Sequence, residues 1–470
     1  MTKSKYVVLG AGPTGLMAAW RLIKEGHEVI LLERDARVGG FGASFKRDGF
    51  ILDYGPHALH MKEGEVIPIA KLLLGKYLQT NKNNVRTLAN GKYLRYPFQF
   101  YNLVTQISPF LALRMIIDFL SASIIYNFIH VPDDTFEAWG VNRFGKTLYN
   151  FCFGHYTQKV WGMPSRMISP KFAAKKIQGL NFKKIISKIF GGKGEEHEIY
   201  WEQVLYPEHG SGELFEKMAE DFLAKGGKLY LNSVVTQINY ENQKVTSVKY
   251  SKDNKEHSID ADHVISSLPL RNLVLMLKPS FGDYISYMAK RLRFRGMLFV
   301  YVVLNTDQVS EAHWIYLLDP IFKFNRVTEQ KNLSKACAPD GKTVLCFEMC
   351  CSSSDEIWNY SPEKLRELVL EEIKNIKIID SSLIVDCFVE KKDDAYAVCH
   401  LRYEEQVKDL LEHLSTIKQL ITTGRQGLYC HIDMHDSMAL GLSAAEFCLN
   451  GRQDPLKWYK EKTAYLDWDR

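Results

Sequence analysis

The alternation of apolar and polar positions sets out the elements before any motif is considered. An apolar run over residues 5–9 and another over 29–33 flank a segment, 16–24, whose apolar positions recur at helical spacing. That order predicts strand, helix and strand in a parallel βαβ unit. Alternation around Asp48 and Gly49 predicts a hairpin over 43–53. From residue 65 to about 188 the pattern is mostly helical, broken at Tyr96-Pro97 and over 131–134, with Asp134 placed to cap a helix carrying Phe136, Trp139 and Phe144. The longest apolar stretch, 110–129, carries Arg114 and Asp118 and predicts a buried or amphipathic helix rather than a membrane span. Residues 191–196 read as a loop. A helix over 214–224 leads into short strands over 228–232, 234–240, 245–250, 257–261 and 263–267, which predict a β-meander. Strands dominate 295–398, interrupted by a helix over 362–375. A helix over 404–414, a strand over 420–423 and an amphipathic helix over 437–449 complete the pattern.

The chemistry sits where the first strand meets the first helix. Gly10, Ala11, Gly12, Pro13, Thr14 and Gly15 follow the strand. Gly10 and Gly12 permit a tight turn with backbone against a pyrophosphate, and Gly15 lets the helix lie close to the sheet. The helix start directs free N–H groups and its dipole at the phosphates. Glu33 ends the second strand, where a carboxylate accepts ribose hydroxyls. Together these predict a dinucleotide site. Such a unit needs more parallel strands, and the best candidates lie about 200 and about 400 residues downstream. The fold class is therefore α/β, with a Rossmann-like domain divided over 1–62, 201–272 and 406–470. A helical lid or substrate region occupies 63–200, and a mixed substrate-domain sheet 273–405.

Composition narrows the field. A chain of 470 residues exceeds one small core, and 46% hydrophobic with 24% charged residues is the balance of a soluble globular protein. Sixty Lys and Arg against 55 Asp and Glu leave +5, too small a surplus to argue for nucleic acid. It leaves room for a basic patch facing an anionic substrate or a membrane surface. Nine scattered cysteines contain no C-x-x-C pair, which argues for a reducing, cytoplasmic setting over a disulfide framework or zinc site. No targeting segment is expected before the first strand. No metal site is expected either, since the His431–His435 segment lacks the carboxylate pattern of one.

Several segments, in order, are similar to those of one superfamily. Glu33 followed by Gly39 and Gly40 resembles the FAD version of the dinucleotide fold. The stretch from Phe153 to Gly162, with Tyr156, Lys159 and Trp161, resembles the protoporphyrinogen-oxidase-like and UDP-galactopyranose-mutase-like branches. Asn142 to Gly145, Trp314 to Tyr316 and Asn325 to Thr328 do so too. Gly424, Arg425 and Met438 resemble the segment that closes on the FAD diphosphate and flavin ring. Over nearly its whole length the chain resembles the FAD-containing amine oxidases, protoporphyrinogen oxidases, phytoene desaturases and UDP-galactopyranose mutases.

That resemblance implies FAD, held by Gly10, Ala11, Gly12, Thr14, Gly15, Glu33, Arg34, Gly39, Gly40, Gly55, Pro56, His57, Val235, Gly424, Arg425, Ser437 and Met438. It implies His57, Arg326 and Lys176 as catalytic candidates, and Tyr156, Trp161, Tyr316 and Tyr396 as substrate contacts. His57 follows Gly55 and Pro56 on a loop similar to the mutases' histidine loop beside the flavin. Arg326 and Lys176 fall where the mutases hold a diphosphate with two arginines; lysine keeps the charge and loses the bidentate fork. A second departure is His435-Asp436-Ser437-Met438, where the family order is Asp-His-Ser-Met. The implied function is an FAD-dependent oxidoreductase that moves a hydride from a small organic substrate, anionic or hydrophobic, to flavin N5. A non-redox sugar mutase using reduced FAD and a flavin-binding scaffold without turnover stand as alternatives. Peripheral membrane contact and the oligomeric state stay open.

Overall fold

Three stretches far apart in the chain converge on one parallel sheet. The computed structural model describes residues 3–61, 64–96, 106–129, 131–171, 203–451 and 454–466. Lys5–Leu9 lies between Glu28–Leu32 and His263–Ser266, with Lys228–Tyr230 and Leu420–Thr422 at the edges, and every pairing is parallel. The central strand is fully buried at Val7, Val8 and Leu9, in one core that also takes in Leu16, Leu22, Val235, Ile238 and Val248. Helix Pro13–Lys24 packs against Gly212–Ala224 and Met434–Leu449. The strand order reverses at Lys5–Leu9, and such a reversal opens a ligand crevice beyond the carboxyl ends of the strands.

The parallel partners expected downstream are thus Lys228–Tyr230, His263–Ser266 and Leu420–Thr422. Two of them were expected within a five-strand meander. Only Val234–Glu241, Lys244–Lys252 and Lys255–Asp260 form that antiparallel unit. His263–Ser266 is drawn to the parallel sheet by Asp262, whose carboxylate accepts the Lys5 N–H at 2.8 Å while its own N–H donates to the Lys5 carbonyl at 3.1 Å.

A seven-stranded sheet forms the second layer, in the order Ile384–Ala397, Phe294–Leu304, Thr343–Cys351, Arg326–Glu329, Trp314–Leu317, Val85–Ala89 and Lys92–Tyr96. The last two strands, together with Leu78–Lys82, correct the helical reading of 65–188. Asn90 and Gly91 adopt φ of 51° and 70°, so they make a two-residue hairpin turn joining Ala89 to Lys92. Val85–Ala89 then pairs in parallel with Trp314–Leu317. The hairpin expected at Asp48-Gly49 forms in the same way, with φ of 49° and 83° between Ser44–Arg47 and Phe50–Asp53.

Helices Pro109–Phe128, Phe136–Phe144, Lys146–Tyr149 and His155–Trp161, with a π-helical turn at Asn150–Gly154, cover one end of this sheet. Thr135, not Asp134, caps Phe136–Phe144; its extended backbone lets Oγ1 accept the Ala138 N–H at 3.0 Å. Helix Pro109–Phe128 is neither buried nor amphipathic. Its inner side buries Ala112, Met115 and Phe119, and its outer side is apolar as well. Lys176 and the loop expected over 191–196 lie outside the described residues.

Candidate active site

The glycine loop is built by close backbone approaches. Gly10, at φ 91°, donates its N–H to the Leu32 carbonyl at 2.8 Å, and Gly39, at φ 98°, donates to the Ala11 carbonyl at 2.8 Å. A Cβ on Gly15 would fall 1.9 Å from the Gly10 carbonyl oxygen, so only glycine lets this helix start so near the sheet. A Cβ on Gly40 would lie 3.2 Å from Gly12 Cα and would fill the space between the two glycine turns. The last chain segment seats on the same helix start. Thr14 Oγ1 donates to the Ser437 carbonyl at 2.9 Å, and a Cβ on Gly424 would meet Thr14 Oγ1 at 2.5 Å.

Glu33 is buried at the end of its strand. Its carboxylate accepts the Ala11 N–H at 2.6 Å and the Asp35 N–H at 2.9 Å. Burial raises its pKa and the two backbone donors oppose that rise. Its carbonyl accepts the Ser233 N–H at 2.8 Å, which brings buried Val235 to the same end of the sheet. Arg34 stands half-exposed at the rim, 3.8 Å from Asp35. Met438 is fully buried within the core, behind the segment that carries Ser437. A bare glycine cradle, helix N–H groups that no helix carbonyl can take and a carboxylate at the strand end fit the diphosphate and ribose of a dinucleotide.

A second group gathers beside this crevice. Tyr316, Arg326 and Glu348 are direct cross-strand neighbours on three adjacent strands, so their side chains share one face of the large sheet. Arg326 Nε and Nη2 donate to the two Glu348 oxygens at 2.7 and 2.5 Å, and Glu348 is fully buried. Burial would lower the guanidinium's pKa, but attraction to Glu348 outweighs it and holds Arg326 well above its ordinary value. Glu348 also presses on the His57 loop: a Cβ on Gly55, at φ 84°, would lie 2.6 Å from its Oε2.

His57 Nδ1 faces the Gly55 carbonyl at 3.1 Å. Burial, then the Arg326 and Arg425 charges, push its pKa down to about 4, so the ring is neutral at pH 7. With Nδ1 donating to Gly55, Nε2 carries the lone pair. Asp53 steadies the base of the loop by accepting from Ser44 Oγ at 2.6 Å, Tyr206 OH at 2.5 Å and Ser211 N–H at 3.2 Å.

Aromatic rings complete the wall. Tyr316 meets Tyr156 at 5.8 Å and Tyr96 at 5.2 Å between ring centroids. Tyr396 stacks on His431 at 5.1 Å, and Trp161 meets both edge-on. The Arg425 guanidinium lies 4.7 Å from the Tyr396 centroid and donates to the Ile432 carbonyl at 2.6 Å. His57, Arg326, Arg425, Tyr156, Trp161, Tyr316 and Tyr396 therefore form one neighbourhood, joined to the glycine cradle through Gly424, which precedes Arg425 and abuts Thr14. Glu348, Tyr96, His431 and Asp53 were not among the site residues expected from the sequence. Glu348 had a signal: it is the lone charge in an otherwise apolar strand, Thr343–Cys351. Asp433, His435 and Asp436 also come within 4.8 Å of one another. Asp433 and Asp436 form a capping box at the start of helix Met434–Leu449, which accounts for their closeness.

The family model of flavin-containing amine oxidoreductases matches residues 13–446. A 4,4'-diapophytoene desaturase of Staphylococcus aureus (strain MRSA252) is 28% identical over 143 residues, covering 30% of this chain and 27% of that protein. The chain thus matches little more than a quarter of that relative's length, and 12% of the same enzyme from strain bovine RF122 / ET3-1. The structure of reduced UDP-galactopyranose mutase superposes with a TM-score of 0.82 at 19% identity, over 96% of this chain and 94% of that one. Putrescine oxidase bound to putrescine superposes with a TM-score of 0.65 at 15% identity, over 96% and 99%. At these identities the two structures show a shared fold. By its match over residues 13–446, the chain belongs to the flavin-containing amine oxidoreductase family and is an FAD-dependent enzyme.

Proposed function

We propose that this enzyme is an oxidoreductase that takes a hydride from an uncharged, largely apolar organic substrate resting against the tyrosine wall. The observation that carries this reading is the Arg326–Glu348 pair. A phosphate clamp needs a guanidinium whose charge and fork are open to the ligand. Here a fully buried carboxylate engages two donors and offsets the charge. The other walls are rings. Burial lifts the Tyr396 phenol to about 12 and the Tyr156 phenol well above its usual range, so both stay neutral. Bound FAD supplies the hydride acceptor. In this reading His57, neutral with a lone pair on Nε2, accepts the proton that a substrate loses along with the hydride, as a weak base whose lowered pKa favours passing that proton on. The partial likeness to diapophytoene desaturases leans the same way.

The test mixes the FAD-loaded enzyme anaerobically with a panel of apolar hydrocarbons and uncharged alcohols. Bleaching of the flavin band by a member of the panel is the expected result; no bleaching by any member overturns the reading.

A second reading, a non-redox mutase acting on a nucleotide sugar, is favoured by two cations beside His57, Arg326 and Arg425, and by the 0.82 TM-score. Dithionite-reduced enzyme with a nucleotide-sugar panel separates the two. Sugar interconversion without net electron transfer would put the mutase reading first.

A further inference from the structure

We propose that helix Pro109–Phe128 docks the enzyme on an anionic lipid surface, with its outer stripe lying in the interface rather than crossing it. Phe110, Leu113, Ile117, Leu120, Ile124 and Phe128 recur every three or four residues and so share one side of the helix. They are between 53% and 85% exposed. Water meets a continuous apolar band about 30 Å long, the length expected for 20 helical residues. Such bands mark interaction surfaces.

The helix is long and apolar enough to span a bilayer, with a mean hydropathy of 1.6 over Pro109–Tyr126. Its inner side argues against crossing. Ala112 and Met115 are buried against Leu94, Phe144 and Leu148. Asp118 accepts the Thr147 N–H at 3.1 Å and the Thr147 hydroxyl. A helix tied to the protein along one side, with a hydrogen-bonded carboxylate at its middle, lies along a membrane.

Charge selects the occupant. Residues 85–171 hold nine Lys and Arg against four Asp and Glu, a surplus equal to the +5 of the whole chain. Arg114 is exposed beside the stripe, Arg95 and Lys146 are exposed on the elements around it, and Lys92 Nζ donates to the Gln106 carbonyl at its foot. A second copy would bring the like charges of Arg95, Arg114 and Lys146 towards this face. An anionic lipid surface complements it.

The test floats FAD-loaded, full-length enzyme with vesicles of phosphatidylglycerol and phosphatidylcholine, and with vesicles of phosphatidylcholine alone. Binding to the anionic vesicles is expected, and it should weaken with added salt. The double variant Ile117→Glu, Leu120→Glu should lose about tenfold or more of that binding, since both side chains enter the lipid. It should retain its FAD, because neither side chain supports the core. Arg114→Glu, which leaves the apolar stripe intact, should weaken anionic binding severalfold. Failure to float, equal binding to neutral vesicles, or undiminished binding by these variants overturns the proposal. So does light scattering that shows a wild-type dimer split by the double variant, which would assign the stripe to a second copy.

Discussion

Arg326 and Glu348 face each other across adjacent strands, Glu348 fully buried and Arg326 partly so, and the buried carboxylate depends on the guanidinium. Removing one partner of such a pair leaves an unpaired buried charge, at a cost of about 3–5 kcal/mol. Arg326→Met and Glu348→Leu should each destabilise the fold by about that much, while the double variant recovers most of the loss. Urea unfolding of the three variants reads the coupling, and simple additivity would show that the charges do not depend on each other. His57 allows a test by pH. Its folded pKa of about 4 lies below the ordinary 6.5, so between these values the unfolded chain binds the extra proton. The stability His57 contributes is complete above pH 6.5 and is lost as pH falls towards 4, by about 1.4 kcal/mol for each pH step between the two values. Glu372, raised to about 7 by burial, acts in the opposite sense over an overlapping range. The wild-type slope alone is therefore ambiguous. His57→Asn should lose less stability than the wild type between pH 7 and pH 5, and identical losses would remove His57 from the account. His57, Tyr316 and Arg326 could be named from the sequence because the segments that carry them resemble those of the superfamily. Glu348 was not, because its meaning comes from cross-strand register, which local spacing does not contain.

Among the elements, the cap helices depend on one close approach. Gly145 has φ 74°, and a Cβ there would lie 2.6 Å from the Asp118 backbone carbonyl. Gly145→Ala should force helix Pro109–Phe128 away from its neighbours and cost about 1–3 kcal/mol through overpacking and backbone strain. Gly75→Ala is the control, since Gly75 has φ 53° with nothing within 4 Å of an added Cβ. A thermal midpoint lowered no further in Gly145→Ala than in Gly75→Ala would show that the approach itself contributes little. The same region shows where pattern reading falls short. Val85–Ala89 and Lys92–Tyr96 have mixed burial and no clean alternation, so their apolar spacing suggested helix. The informative signal was Asn90-Gly91, whose positive φ values set the hairpin. Asp48-Gly49 was legible because alternating residues flanked it.

Across the whole molecule, one sheet is assembled from chain segments that share no local contacts. Lys5–Leu9 and Glu28–Leu32 are joined by Lys228–Tyr230, His263–Ser266 and Leu420–Thr422, and the glycine cradle sits where these segments meet. Gly10 and Gly39 come from the first segment, Ser233 and Val235 from the second, and Gly424 and Ser437 from the last. A ligand seated there holds all three together, so FAD should stabilise the chain as one unit. At free FAD a hundredfold above its dissociation constant, mass action contributes about 2.7 kcal/mol. Hydrogen exchange with and without FAD should therefore slow together around residues 10–15, 39–40, 233–235 and 424–438. Gly15→Val should abolish this protection, because its side chain would have to occupy the position 1.9 Å from the Gly10 carbonyl oxygen. Protection confined to residues 10–40 would mean that the cofactor rests on the first βαβ unit alone, and that the later segments only complete the sheet.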